Sequence, residues 1–391
     1  MYRDVKKRAG SSVFLGFILA SFILLISTSI YRSFPAIAAE KTSLMRLQDS
    51  QKVAMNSSFI SPLVELFGDI SIGKKVFIAS NTILRTDPDT QLCIGNETNL
   101  QDNILLLALR NIPAPPSACG KRASSIGSRT SIAHQAKIKN SKIGDFTFVG
   151  FHADLNNVVL EDGAFVLHGA KLSNVSIGKG RLVPIGAVIT TQAQANALPL
   201  KTEASAEFQK EVLAVNEEFA EHYSDLYKTA GFDAVTGVSA APKTSWNTKP
   251  VSPTLGQNVQ LEEFVRIVGD VRLGGNSVVG RRTSIRADEG APIVIGSNAK
   301  IEDHVTLHAL KGTSIRIGNQ LNTDDNVVFH GPLEVGNNLT IEDDAVLFHS
   351  QVGNNVTIGM NAIVVGVTLR DNVKVPERAI ITTQEQANAL K

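Results

Sequence analysis

A chain of 391 residues with 38 basic and 37 acidic side chains carries almost no net charge. That balance gives no reason to expect a nucleic-acid partner, and no basic tract supplies one. Only 6% of the residues are aromatic, which suits thin regular coils better than one thick mixed core, and the length suggests two or three domains.

The N-terminus carries Arg3, Lys6, Lys7 and Arg8, then an apolar run from Val13 to about Ile30, then Ala36-Ile37-Ala38. Residues 1–39 therefore read as a secretory signal peptide with a small-residue cleavage site. The apolar run also reaches roughly the 18–20 residues that a membrane span needs, so an uncleaved anchor is the alternative. Either way the bulk of the protein is expected to be exported, to the periplasm or another extracytoplasmic space. Cys93 and Cys119 are the only cysteines. In an exported protein such a pair can form a disulfide, and two unpaired thiols remain the alternative.

From residue 60 to about 200 an aliphatic residue followed by Gly recurs: Ile72-Gly73, Ile94-Gly95, Ile126-Gly127, Ile143-Gly144 and Ile177-Gly178. The period is six, the hexapeptide repeat of a parallel β-helix, in which three hexads close one triangular coil with the aliphatic pointing inward. Residues 201–235 change rhythm. Phe208, Val212, Leu213, Val215, Phe219, Tyr223 and Tyr227 fall at helical spacing among Glu and Lys, which predicts an amphipathic helix packed on the outside of the first β-helix. Its aromatic stripe reads as a packing face. Residues 236–255, rich in Ser, Thr, Pro and Gly, form a linker. The six-residue rhythm then returns over 256–391, at Ile295-Gly296, Ile317-Gly318, Val335-Gly336, Val352-Gly353 and Ile358-Gly359.

The two β-helices are copies. Leu84-Arg85-Thr86-Asp87 through Leu109 aligns without a gap on Ile285-Arg286-Ala287-Asp288 through Leu310, and the tails Ile189–Leu198 and Ile381–Leu390 are nearly identical. A coil of 18 residues plus four for a corner loop separates Ile285, Leu307 and Phe329. Arg286, His308 and His330, each one residue later, should therefore stack on one outer face. Glu302 and, one coil on, Asp325 belong to the neighbouring face. The same count stacks Arg85, Leu107 and Lys139 in the first copy, with Asn99, Gln101 and His134 on or beside the adjacent face. Two stacked outward imidazoles are half a metal site: catalytic zinc takes three protein ligands and an open position. The third ligand must come from another β-helix alongside. His152, His168, His304 and His349 lack such alignment and read as surface or packing residues.

Arg286-Ala-Asp-Glu-Gly290, Val305-Thr-Leu-His308-Ala-Leu310, Phe329-His-Gly-Pro332, Val352-Gly-Asn-Asn355 and Ile381-Thr-Thr-Gln384 resemble the γ-class carbonic anhydrase family, which includes the N-terminal domain of the carboxysome scaffold protein. The resemblance covers roughly 67–198 and 268–390. It implies all-β architecture, two tandem left-handed parallel β-helices, a trimer of such β-helices, and zinc or iron held between subunits. Carried over residue by residue, it makes His308 and His330 the two ligands given by one subunit. The third ligand is His134 in the first copy and Asp325 in the second. It makes Asn99 and Gln101 the amides that orient hydroxide and CO2, replaced in the second copy by Lys300 and Glu302. Arg85, Asp87, Arg286 and Asp288 become interface residues, and Glu289 the glutamate near the metal. Lys311 stands where some members carry a proton-transferring glutamate.

The copies thus divide one site. The first keeps Asn99, Gln101 and His134; the second keeps His308 and His330, whereas Leu107 and Lys139 cannot hold metal. The expectation is one working site between unlike copies, hydrating CO2 to bicarbonate with zinc. Second-against-second packing would instead give His308, His330 and Asp325, a set for which iron is more plausible. Two β-helices per chain leave a ring of three incomplete, so a third must come from another chain or another protein. The competing functions are a non-catalytic assembly protein that kept the fold, and an acyltransferase, since hexapeptide β-helices often carry acyl transfer.

Overall fold

The computed structural model describes residues 58–116, 119–120 and 123–391. The signal peptide or anchor expected over 1–39 lies outside the described residues. Among the described residues no helix is long and apolar enough to cross a membrane.

Both copies are parallel β-helices built from strands of mostly two to four residues. In the first copy Phe59 pairs with Phe77, and Phe148 with Phe165, so that a coil without a long corner loop takes 18 or 17 residues, whereas Phe77 to Asn99 and Asn99 to Ser131 take 22 and 32. One wall runs from Phe59–Ile60 to Leu182–Val183, the second from Glu65–Phe67 to Val188–Ile189, and the third from Ile70–Ile72 to Ser176–Ile177. The second copy repeats the plan. There, Val328–Val335 and Val346–Val352 continue around a corner, so that two of its walls join into one sheet. Every corner needs a sharp turn, and Asn81, Asn103, Gln135, Asn298 and Asn326 supply it in the left-handed conformation, which Asn tolerates better than most L-residues.

Inward aliphatics stack coil on coil, and each copy has its own core. Ile78, Leu84, Leu100, Leu106, Ile132 and Ile138 belong to the first, and Ile285, Leu307, Phe329 and Leu347 to the second. At about 25 cal/mol per Å2 of apolar surface removed from water, this repetition supplies the main driving force. Cys93 and Cys119 are disulfide-bonded.

Short helix α1 (Gln192–Asn196) closes the first β-helix, and α3 (Gln384–Ala389) closes the second, each with a Thr capping box. Between them α2 (Glu203–Ala230) starts at the Thr202 cap and ends at Gly231, whose φ of 83° suits glycine. As the periodicity predicts, α2 lies against the first copy: Phe219 packs on Phe77 and Tyr223 on Phe59, with ring centroids 5.4 and 5.0 Å apart.

The copies lie side by side along a seam where corner meets corner. Asn81 Nδ2 donates to the carbonyls of Phe264 and Arg282 at 3.2 and 3.0 Å. One coil on, Asn103 Nδ2 donates to Thr306 Oγ1, and next Gln135 Nε2 donates to His304 O at 2.6 Å. Farther along, the methyl ends of Ile363 and Ile380 fill the space where Gly169 and Gly186 would carry a Cβ. An apolar patch of Phe148, Phe151, Phe165, Val328 and Val346 finishes the seam.

Candidate metal centre

His308 and His330 leave adjacent strands, Thr306–His308 and Val328–Val335, in direct register, and Arg286 stands one coil earlier. This is the face that the 22-residue spacing predicts. His134 arrives from the first copy, at the corner after Ser131–Ile132. Ligand atoms of His134, His308 and His330 lie within 4.8 Å of one another, and all three side chains are buried. His134 Nε2 and His308 Nδ1 are 3.2 Å apart.

Each imidazole is held from behind. His308 Nε2 lies 3.2 Å from Glu289 Oε1 and 3.6 Å from Asp288 Oδ1. His134 Nδ1 lies 3.4 Å from Asp102 Oδ2 and 3.2 Å from the Asp102 amide nitrogen. The N–H asks for an unprotonated Nδ1 and the carboxylate for a protonated one. If Nε2 serves as a ligand, the proton belongs on Nδ1 and the carboxylate contact prevails. His330 stacks on Phe151 and meets the edge of Phe348, at 4.8 and 5.4 Å between centroids.

Arg286 ties the two copies electrostatically. Its Nη1 donates to Asp102 Oδ2 at 2.6 Å and its Nε to Asp288 Oδ2 at 3.0 Å, while Ser284 Oγ donates to Asp102 Oδ1 at 2.8 Å. Burial alone would raise the pKa of Asp102, but the Arg286 charge, His134 and Ser284 reverse that and hold the carboxyl well below the usual carboxylate range. Asp288 is held low the same way, by Arg286 and His308 against burial. Burial drives His134 down to about 4, with Asp102 opposing. For His308, burial and Arg286 pull down, but Asp288 and Glu289 outweigh them and push it up to about 9. Burial, then the charges of His308 and His134, depress His330 well below the usual value.

A cavity of about 630 Å3 is edged by Gln101, Glu289, Val212, Val215, Trp246 and Lys311, and Glu289 links it to His308. The Lys311 ammonium sits over the Trp246 ring, 4.6 Å from its centroid. Gln101 Oε1 is buried without a hydrogen-bond partner among the described residues. Asn99 Nδ2 donates to Ser131 Oγ at 2.7 Å, and its Oδ1 likewise lacks a partner there. An unmade buried hydrogen bond costs about 1–3 kcal/mol, tolerable where water or a ligand completes the site.

Other expected residues stand elsewhere. Asp325 is exposed, and its Oδ1 accepts from the Asp303 amide, so within this chain it does not face the histidines. Lys300 pairs with Asn322, so Glu302 stacks over Asp324, one residue short of the expected Asp325. Arg85 and Asp87 lie 3.6 Å apart with Arg85 exposed, its neighbour one coil on being Leu107. A chain with two β-helices forms one oriented seam, and the face bearing Arg85 is left out of it. His168 is a packing residue, stacked on Phe151 at 4.3 Å. Ser284, Tyr223 and Trp246 carry no sequence signal as site residues. Asp102 alone had a cue, following Gln101 directly.

No family model matches the chain. Over 162 residues, 41% of this chain and 29% of the relative, it is 34% identical to the carboxysome assembly protein CcmM of a Nostoc species. Over 63 residues, 16% of this chain and 26% of the relative, it is 32% identical to a carbonic anhydrase of Methanosarcina thermophila. The chain thus spans less than a third of the length of these curated relatives. Among solved structures, a hexapeptide transferase family protein from Anaplasma phagocytophilum overlaps 43% of this chain and 89% of its own at 22% identity, with a TM-score of 0.28, too low an overlap to argue from. The coils and the register make the chain two tandem left-handed, hexapeptide-repeat parallel β-helices, similar in part of their sequence to a carboxysome assembly protein and to a γ-class carbonic anhydrase.

Proposed function

We propose that the protein hydrates CO2 reversibly to bicarbonate at one metal ion held by His134 from its first β-helix and His308 and His330 from its second. The observation that carries this reading is the convergence of three buried imidazoles within 4.8 Å across the seam. The donor set fits zinc, with iron as the alternative. Two nitrogens bound tetrahedrally at roughly 2.0–2.1 Å lie roughly 3.3 Å apart, and His134 and His308 are already at 3.2 Å. Three imidazoles leave the fourth position open for a substrate. The ion supplies Lewis acidity that brings the pKa of water from 15.7 to about 7 and so provides a nucleophile for CO2.

The chain's own groups supply the rest. Gln101 and Asn99 offer amide groups with free hydrogen-bonding capacity to orient the attacking oxygen and CO2. Glu289, at the edge of the cavity, is the nearest carboxylate to receive the released proton. Phe151 and Phe348 exclude water on the opposite side. Lys311 in place of a shuttling glutamate leaves proton export to buffer. We further propose that the protein is exported, in keeping with its cysteine pair being bonded. A third β-helix, from another chain or another protein, would complete the ring at the faces bearing Arg85 and Glu302.

A second reading is an assembly protein that binds metal without turnover. It is favoured by Lys311 and by similarity to a carboxysome assembly protein. Stopped-flow CO2 hydration by zinc-loaded and by anaerobically iron-loaded protein separates the two. Turnover in wild type that is lost in His330→Ala supports the enzyme, and full metal occupancy without turnover supports assembly. Acyl-CoA turnover would argue for acyl transfer.

A further inference from the structure

We infer that the linker helix is a working part of the metal centre: Tyr223 of α2 is a positioning residue that sets the Asp288 carboxylate, and through it the ring of His308. This inference rests on the metal-site reading above.

Asp288 receives two donors from the segment that joins the copies. Tyr223 Oη donates to Asp288 Oδ2 at 2.6 Å, and Trp246 Nε1 donates to the Asp288 carbonyl at 3.2 Å. Arg286 Nε donates to the same Oδ2. With Oδ2 occupied twice and the backbone pinned, the carboxylate has one orientation. Its other oxygen, Oδ1, then lies 3.6 Å from His308 Nε2. That approach, longer than a hydrogen bond, and Glu289 at 3.2 Å place two carboxylates against the Nε2 edge of the imidazole, with Nδ1 facing His134. A carboxylate behind a ligating histidine sets ring orientation and basicity, and losing such a group typically costs 10–100-fold in metal affinity.

Packing alone does not require the hydroxyl. Tyr223 is buried among Phe59, Phe77 and Phe219, where a Phe ring would fit equally well. The polar atom instead crosses to the second copy, into a site that the helix need not touch in order to pack. A segment that merely tethered the β-helices would need neither donor. As built, α2 registers the copies and completes the site that their contact creates.

The test is zinc affinity by chelator competition, and the visible spectrum of the cobalt-substituted protein, for wild type, Tyr223→Phe and Val235→Ala. Val235 is buried in the same aromatic cluster, and its apolar side chain takes no part in the hydrogen bonds to Asp288; it controls for loosened packing. Wild type that binds no metal would refute the metal-site reading itself. With wild type binding, Tyr223→Phe is expected to weaken zinc 10–100-fold and to shift the cobalt spectrum, whereas Val235→Ala lowers only the melting temperature. Equal affinity and spectrum in wild type and Tyr223→Phe would overturn the inference, as would equal weakening in both variants.

Discussion

His134 of the first β-helix and His308 of the second face each other across the seam with Nε2 and Nδ1 3.2 Å apart, though 174 residues separate them in the chain. Neither copy holds a three-histidine set. The duplication matters because each copy dropped what the other supplies, and the corner ladder of Asn81, Asn103 and Gln135 sets the register in which the remainders meet.

Asp102 is the first test of that register. It bridges Arg286 of the other copy and His134. Asp102→Ala would leave Arg286 buried with Asp288 alone. Breaking one partner of a buried ion pair costs about 3–5 kcal/mol, and urea unfolding should show a loss of that order. Asp102→Asn keeps the shape and should lose less stability while still weakening metal binding.

Gln101 addresses catalysis directly. Its unpartnered amide at the cavity edge is expected to act on the reacting atoms, not the metal. Gln101→Ala should lower kcat/KM for CO2 hydration by roughly 10–1,000-fold, as losses of oriented hydrogen bonds do, with metal content unchanged. Metal loss in this variant would instead assign Gln101 to holding the histidines.

The difference in acid stability between wild type and a single variant reads out His168. Burial lowers its pKa from the usual 6.5 to about 3. The unfolded chain therefore takes up a proton from 6.5 downward while the folded chain does not. The stabilising contribution is complete above pH 6.5 and is lost as pH falls toward 3. At pH 4 the loss is roughly 3 kcal/mol. In His168→Phe, which keeps a ring against Phe151 but gives up the hydrogen bond from the Phe151 amide, unfolding free energy should fall less between pH 6.5 and 4 than in wild type.

The disulfide closes a chain segment of 26 residues. Reduction, or Cys93→Ser with Cys119→Ser, should cost about 2–4 kcal/mol. Because Cys93 is on the third wall of the first copy, away from the seam, metal affinity should hold. Differential scanning calorimetry and metal titration on the same sample check both.

Much of this was legible in the sequence because a β-helix converts period into position. The six-residue aliphatic rhythm gave the coils, and the 22-residue spacing put Arg286, His308 and His330 on one face. Asp102 and Tyr223 were not legible. Their partners are set by the angle and register at which two β-helices dock, and no periodicity within one copy reports that. On the neighbouring wall the same 22-residue offset stacks Glu302 on Asp324 and Asp303 on Asp325, so Asp325 lies one residue beyond the position facing Glu302. The aromatic stripe of α2 read as packing, and all but one atom of Tyr223 obeys that reading.

The central claim is that one metal ion is shared by the two copies of a single chain. Metal analysis of purified wild type beside His134→Ala tests it most directly. About one zinc or iron per chain is expected in wild type, with loss in the variant. Metal retained in full without His134, or none in wild type supplied with metal anaerobically, would contradict the shared site.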